Sequence, residues 1–175
     1  MSTPLVAILV GAKTDLAVME RASAVLEDLG VPHTIDVMSV HRDPDAVRGV
    51  AIAARDAGYQ VMIAGASGAA HLAGVVAGYT SLPVIGVPCR SDHLGGADAL
   101  YSVVQMPAGV PVATVGIDGA RNAGILAAQI VATASPEVAQ RIEDLRVEQA
   151  AEGREHREVR ADGAAAGLGF GFQPG

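Results

Sequence analysis

Short, unbroken apolar runs that stop at a glycine and give way to a helical pattern constrain this chain more than any other feature. Leu5 to Val10 is one such run, closed by Gly11, and Val61 to Ala64 is another, closed by Gly65. A run of about four to eight apolar residues without alternation reads as a strand buried on both faces of a parallel sheet. After Gly11 the period changes: Leu16, Met19, Ala22, Val25, Leu26 and Leu29 make one helical face, with Thr14 or Asp15 as the expected N-cap and Gly30 as the stop. Thr34 to Met38 predicts a second strand, and Asp43-Pro44 starts the next helix in the favoured order of cap, then proline. Leu82 to Val87 predicts a fourth strand, and Val110 to Val115 a fifth, with Pro111 marking an edge or a strand start. Helices are predicted from Ala69 to about Tyr79, from Ala97 to Gln105, from Arg121 to Ala134, and from Ser135 onward. Strands alternating with helices in this way define an α/β domain with a parallel, doubly wound sheet. The expected organisation is a single domain over residues 1–152 that ends in a helix. Residues 153–175, rich in glycine and alanine towards the end, are expected to form a disordered tail.

Composition removes several function classes. The formal net charge of −7, with no lysine/arginine cluster, argues against a nucleic-acid surface. The single cysteine, Cys89, rules out a disulfide framework or a cysteine-based zinc site within one chain. The first residues, MSTPLVAILVGAKTD, lack a basic leader and a cleavage site, and no apolar run approaches the roughly 20 residues of a spanning helix. A soluble, cytoplasmic protein is expected, with no membrane partner. Half the residues are hydrophobic, yet only 3% are aromatic. A small domain with that much aliphatic surface is expected to hide part of it against copies of itself, as a homo-oligomer.

In doubly wound sheets ligands bind at the carboxyl ends of the strands, near a switch in strand order. That rule selects four loops: Gly11–Asp15, Ser39–Arg42, Gly65–His71 and Cys89–Gly96. Gly65, Ala66, Ser67, Gly68, Ala69 and Ala70 carry almost no side chain, so a ligand can lie directly on backbone N–H groups there. Arg42, at a strand end and near a helix start, suits a phosphate. Asp15 can accept hydrogen bonds from ribose hydroxyls or simply cap its helix. Ser39 and Ser67 add hydroxyl donors, and His41, His71 and His93 are candidate proton carriers. For His93 the reading is a solvated loop residue. The three histidines lack the fixed spacing of a zinc motif, so no metal is expected.

Taken together, V-G-A-K-T-D, S-V-H-R, G-A-S-G-A-A-H-L-A-G and L-Y-S-V-V-Q-M-P-A-G-V-P-V-A-T-V resemble the bacterial-type N5-carboxyaminoimidazole ribonucleotide mutases of de novo purine synthesis. The resemblance covers about Leu5 to Arg146, with several separated motifs in the same order. It implies a flavodoxin-like three-layer sandwich with a five-stranded parallel sheet and a C-terminal helix, assembled as an octamer with active sites between subunits. It implies an isomerase that moves the carboxylate of its ribonucleotide from the exocyclic nitrogen to ring carbon C4, with no cofactor and no metal. Carried over by residue, it implies His41 as the principal acid/base, His71 assisting, and Asp15 on the ribose beside Ala12. Ser39, Val40 and Arg42 fall at the phosphate end, with Gly65, Ala66, Ser67, Gly68 and Leu72 around the imidazole and carboxylate.

The chain departs from that pattern at Ala12 and Thr14, where the family usually carries serines, at Val40, where alanine is usual, and at Ala73, where proline is usual. These departures leave open a paralogue that acts on a related ribonucleotide, and the Ser91-Asp92 pair, which resembles the animal-type enzymes, leaves open direct carboxylation of aminoimidazole ribonucleotide with CO2. A flavin carrier on the same fold would need aromatics at the ligand loops, whereas Tyr59, Tyr79 and Tyr101 are predicted within or beside helices. A non-catalytic ribonucleotide-binding protein is a further alternative, in which His41 and His71 would be dispensable.

Overall fold

In the computed structural model, which describes the backbone of residues 3–163, the predicted runs become five parallel strands. They are β1 (Val6–Val10), β2 (His33–Val37), β3 (Val61–Ser67), β4 (Val84–Cys89) and β5 (Ala113–Thr114). Their order in the sheet is β2-β1-β3-β4-β5, so the chain reverses direction across the sheet between β1 and β3. This is the flavodoxin-like order, with its topological switch point at β1/β3. The helices between strands are α1 (Leu16–Asp28), α2 (Pro44–Ala53), α3 (Leu72–Tyr79) and α4 (Ala97–Val104). Then α5 (Ala120–Ala132) and α6 (Pro136–Gly163) follow β5.

All of β1 and the first five residues of β3 are buried, as unbroken apolar strands between two helical layers must be. Alternate side chains face opposite layers. Ala7, Leu9, Met62, Ala64 and Val84 join a cluster with Val47 and Ala51 of α2, Leu72 and Val76 of α3, and Ala99 and Val103 of α4. α1 and α5 pack together on the opposite side, where Gly124 meets Ala22 and Val25 too closely to admit a side chain.

Five boundaries differ from the sequence expectation. β3 runs through Ser67 rather than ending at Ala64, because Gly65, Ala66 and Ser67 pair with Val87, Pro88 and Cys89 of β4. α3 begins at Leu72 rather than Ala69, because Gly68 (φ 65°) and Ala70 (φ 48°) take left-handed backbone that a helix cannot include. β4 extends through Cys89, which pairs in register with Ser67. β5 is only two residues long, since Pro111 has no N–H to give to a ladder. α6 does not stop near residue 152. It passes Gly153 and continues to Gly163, in a stretch with good helix formers such as Arg154 and Glu155. The compact unit closes at Ile142, and the chain from Glu143 onward is a separate unit. The last twelve residues of the expected tail, 164–175, lie outside the described residues.

At the switch point the two central strands come together through glycine. Gly11 N–H donates to the Gly65 carbonyl at 2.8 Å, and a Cβ on Gly65 would collide with the Met19 sulfur of α1. Gly65→Ala is therefore expected to overpack the core and to destabilise by about 1–3 kcal/mol in urea denaturation. Adding Met19→Ala should recover part of that loss by opening the space.

Candidate active site

The first loop opens with Ala12 in extended conformation and closes a single 3-10 turn, Lys13–Asp15. Asp15 is only 4% exposed, and its carboxylate does not cap α1. Instead Oδ2 accepts the backbone N–H of Ser67 at 3.2 Å, across the switch point. Thr14 is not the cap either; its hydroxyl lies 3.5 Å from Asp15 Oδ1. A buried carboxylate with so few donors has acceptor capacity left for a ligand's hydroxyl groups.

The second loop is a turn built on Ser39, whose carbonyl accepts the N–H groups of Arg42 and Asp43 at 3.2 and 2.9 Å. Asp43 then caps α2 through the N–H of Ala46, with Pro44 in the first turn, as the sequence order predicts. This turn presents His41 and Arg42 to solvent, and among the described residues the Arg42 guanidinium has no carboxylate partner. The third loop descends from β3 through Ser67, Gly68 and Ala70 to His71, the residue before α3. Ala70 is a non-glycine residue in left-handed backbone, a strained conformation of the sort that concentrates at functional sites.

These three loops enclose a cavity of about 340 Å³. Ala12, Asp15, Ser39, Val40, His41 and Arg42 line one side of it, and Ala66, Ser67, His71 and Leu72 the other. Gly65 and Gly68 are not in the lining: Gly65 packs under Met19, and Gly68 shapes the turn. Gly11 and Ala70 also line it; both fall within the predicted ligand loops, although the sequence assigns neither a substrate contact of its own. Gly11 carries a readable signal as the glycine that ends β1. Ala70 does not, because its backbone angle is set by the fold.

The central feature is a direct hydrogen bond between His41 Nε2 and His71 Nδ1 at 2.8 Å, with ring planes inclined at 74°. The same two rings border a second recess of about 360 Å³, on the side of Pro44, Asp45, Arg48, Val75 and Tyr79. There the Arg48 guanidinium lies 5.8 Å from the Tyr79 ring centre.

The fourth predicted loop, Cys89–Gly96, contributes nothing to the cavity lining. Its polar groups are spent locally, with Arg90 N–H on Asp118 at 2.8 Å and the Ser91 hydroxyl on Asp98 at 2.9 Å. His93 is exposed. Cys89, buried beside the site, has its thiol pushed up from 9.0 to about 12, first by burial and then by the negative charges of Asp15 and Asp118. It is a neutral packing group rather than a nucleophile. Among the described residues no three histidine, cysteine or carboxylate side chains converge to hold a metal.

A flavodoxin-like sheet with a polar cavity at its switch point, an arginine at the rim with no ion-pair partner among the described residues and two joined imidazoles defines a small-molecule enzyme of the α/β class. Residues 5–152 match the AIR carboxylase family, and the chain belongs to that family. It is 51% identical over 157 residues to an N5-carboxyaminoimidazole ribonucleotide mutase of Escherichia coli, covering 89% of this chain and 93% of that protein. It is 50% identical over 141 residues to the protein of the same name from Thermotoga maritima, covering 81% and 82%. A phosphoribosylaminoimidazole carboxylase of Schizosaccharomyces pombe is 49% identical over 136 residues, which are 78% of this chain but 25% of that longer protein. Among solved structures, PurE of Treponema denticola superimposes with a TM-score of 0.80 at 27% identity, covering 93% of this chain and 99% of that one.

Two outcomes follow from the site geometry. Asp15→Ala strands the Ser67 N–H without its acceptor and is expected to cost about 1–3 kcal/mol, whereas Asp15→Asn keeps an oxygen there. Amide hydrogen exchange at Ser67 should accelerate in the alanine variant and much less in the asparagine one. For Cys89, the unfolded thiol ionises above 9.0 while the folded one stays neutral to about 12. The cysteine's contribution is therefore fully present below pH 9.0 and lost as pH rises towards 12. Denaturation at about pH 8 and about pH 11 should show a larger stability loss in the native sequence than in Cys89→Val.

Proposed function

We propose that the protein is an N5-carboxyaminoimidazole ribonucleotide mutase, an isomerase of purine biosynthesis. The observation that carries this reading is the meeting of Asp15, Arg42, His41 and His71 around one small-residue cavity. Arg42 takes the phosphate by charge-assisted hydrogen bonds, and the free acceptor capacity of Asp15 takes the ribose hydroxyls. Together they hold the imidazole ring over Ala66 and Ser67, where no side chain obstructs it.

The chemistry then needs one proton carrier. Protonated His41 gives its proton to the exocyclic nitrogen as the nitrogen–carboxyl bond breaks. The electron pair of that bond stays on nitrogen, and CO2 is released into the cavity. Ring carbon C4 attacks the CO2 through its π electrons, forming the new carbon–carbon bond, and the C4 proton returns to His41. The residue ends as it began, and no other group is consumed. Retaining CO2 between the two steps requires a closed site. His41 and Arg42 are exposed in one chain, which supports a homo-oligomer whose neighbouring subunits cover the mouth; the octamer is what the family resemblance implies. We place the enzyme in the cytoplasm; no helix among the described residues is long and apolar enough to cross a membrane.

A second reading, direct carboxylation of aminoimidazole ribonucleotide, draws support from the likeness to the Schizosaccharomyces pombe carboxylase. The test supplies the purified protein with N5-carboxyaminoimidazole ribonucleotide or, separately, with aminoimidazole ribonucleotide and bicarbonate, and follows the C4-carboxylated product. Fast turnover of the first alone is expected. Efficient turnover of the second at modest bicarbonate would replace the mutase reading. His41→Asn should lower kcat by about 10²–10⁴-fold while ligand binding is retained. Equal loss of binding would remove the acid/base role.

A further inference from the structure

A hydrogen bond between two imidazoles has a fixed proton capacity. His41 Nε2 and His71 Nδ1 stand 2.8 Å apart, so one of them carries a hydrogen and the other presents its lone pair. The neutral pair satisfies this, and so does the pair with one added proton, in which one ring is imidazolium and its neighbour accepts. A second added proton would set N–H against N–H at that distance, and the contact must open. The two rings are thus one acid with two coupled protonation steps, rather than two independent groups.

The surrounding charges act on both rings together, because both border both recesses. From the first loop Asp15 faces them. The turn before α2 contributes Arg42, α2 itself Asp45 and Arg48, and α3 contributes Tyr79. We infer that His41 and His71 work as a single one-proton acid, active only while the pair carries one positive charge, with His71 as the positioning partner that keeps His41 aligned. This rests on the mutase reading for its catalytic consequence, though the coupling itself is a property of the free protein.

The coupling gives turnover a bell-shaped pH dependence in which both limbs belong to the pair. The alkaline limb is loss of the shared charge. The acid limb is the second protonation, which opens the contact. His71→Asn separates this from a structural role: its amide oxygen can stand where Nδ1 stood and accept from His41, yet it does not titrate. That variant is expected to keep kcat within about tenfold of the native value at the optimum and to lose the acid limb. His71→Ala, with no acceptor, should fall by about ten- to a hundredfold and show no alignment of His41.

The deciding measurement is a histidine NMR titration of the ligand-free native protein and of His71→Asn. Both native rings should respond in each of two steps, and His41 in the variant in a single step. Native rings that titrate independently, one step each, would overturn the inference, as would an unchanged bell-shaped profile in His71→Asn. If neither ribonucleotide is turned over, the functional reading fails, and the NMR titration still decides whether the rings form one acid.

Discussion

The bond from Asp15 to the Ser67 N–H is the interaction on which the site depends. It joins the loop after β1 to the loop after β3, the two strands between which the sheet changes direction. Without it, two loops of small residues would each be free to move, and the cavity between them would have no fixed width. The carboxylate is buried to do this, a cost that only hydrogen bonds can offset. Close packing beneath it completes the restraint: Gly11 on the Gly65 carbonyl, and Gly65 pressed against Met19. The loops at this end of the sheet are held close because their components are small and touching.

The fold was readable from the sequence because its signals are local. Buried strands announce themselves as unbroken apolar runs, and Asp43-Pro44 announces a helix start through capping chemistry that needs no tertiary partner. Boundaries set by tertiary context were harder. Nothing in Gly68-Ala69-Ala70 says that Ala70 will take left-handed backbone and push the start of α3 to Leu72. Nor can the ladder partner of Cys89 be known before β3 and β4 are aligned. Arg154 and Glu155 carry a helix on propensity alone, without the apolar face that a sequence pattern would detect.

The candidate site divides in the same way. Side chains whose chemistry is distinctive, Asp15, His41, Arg42 and His71, could be selected because a parallel sheet gathers its loops at one end. Their relations could not. That Asp15 bonds to Ser67 rather than capping α1, and that the two imidazoles touch, are consequences of separations of 52 and 30 residues in the chain. The loop after β4 shares the same edge of the sheet but spends its polar groups on Asp98 and Asp118. Position at the carboxyl ends of the strands is thus necessary for a ligand loop and not sufficient.

Arg42, whose guanidinium has no ion-pair partner among the described residues, has a consequence for how an anionic ligand would arrive. The chain carries a formal net charge of −7, so an anion approaching most of its surface is repelled. At the cavity rim the exposed Arg42, with no ion-pair partner among the described residues, places a positive charge. On the proposed reading, a phosphorylated substrate would meet that charge at the mouth of the cavity. Dissolved salt screens the broad repulsion as well as the local attraction, over a distance of about 10 Å at 0.1 M. On the proposed reading, encounter rate would respond to ionic strength through the net charge of the whole molecule, and the phosphate contact through Arg42.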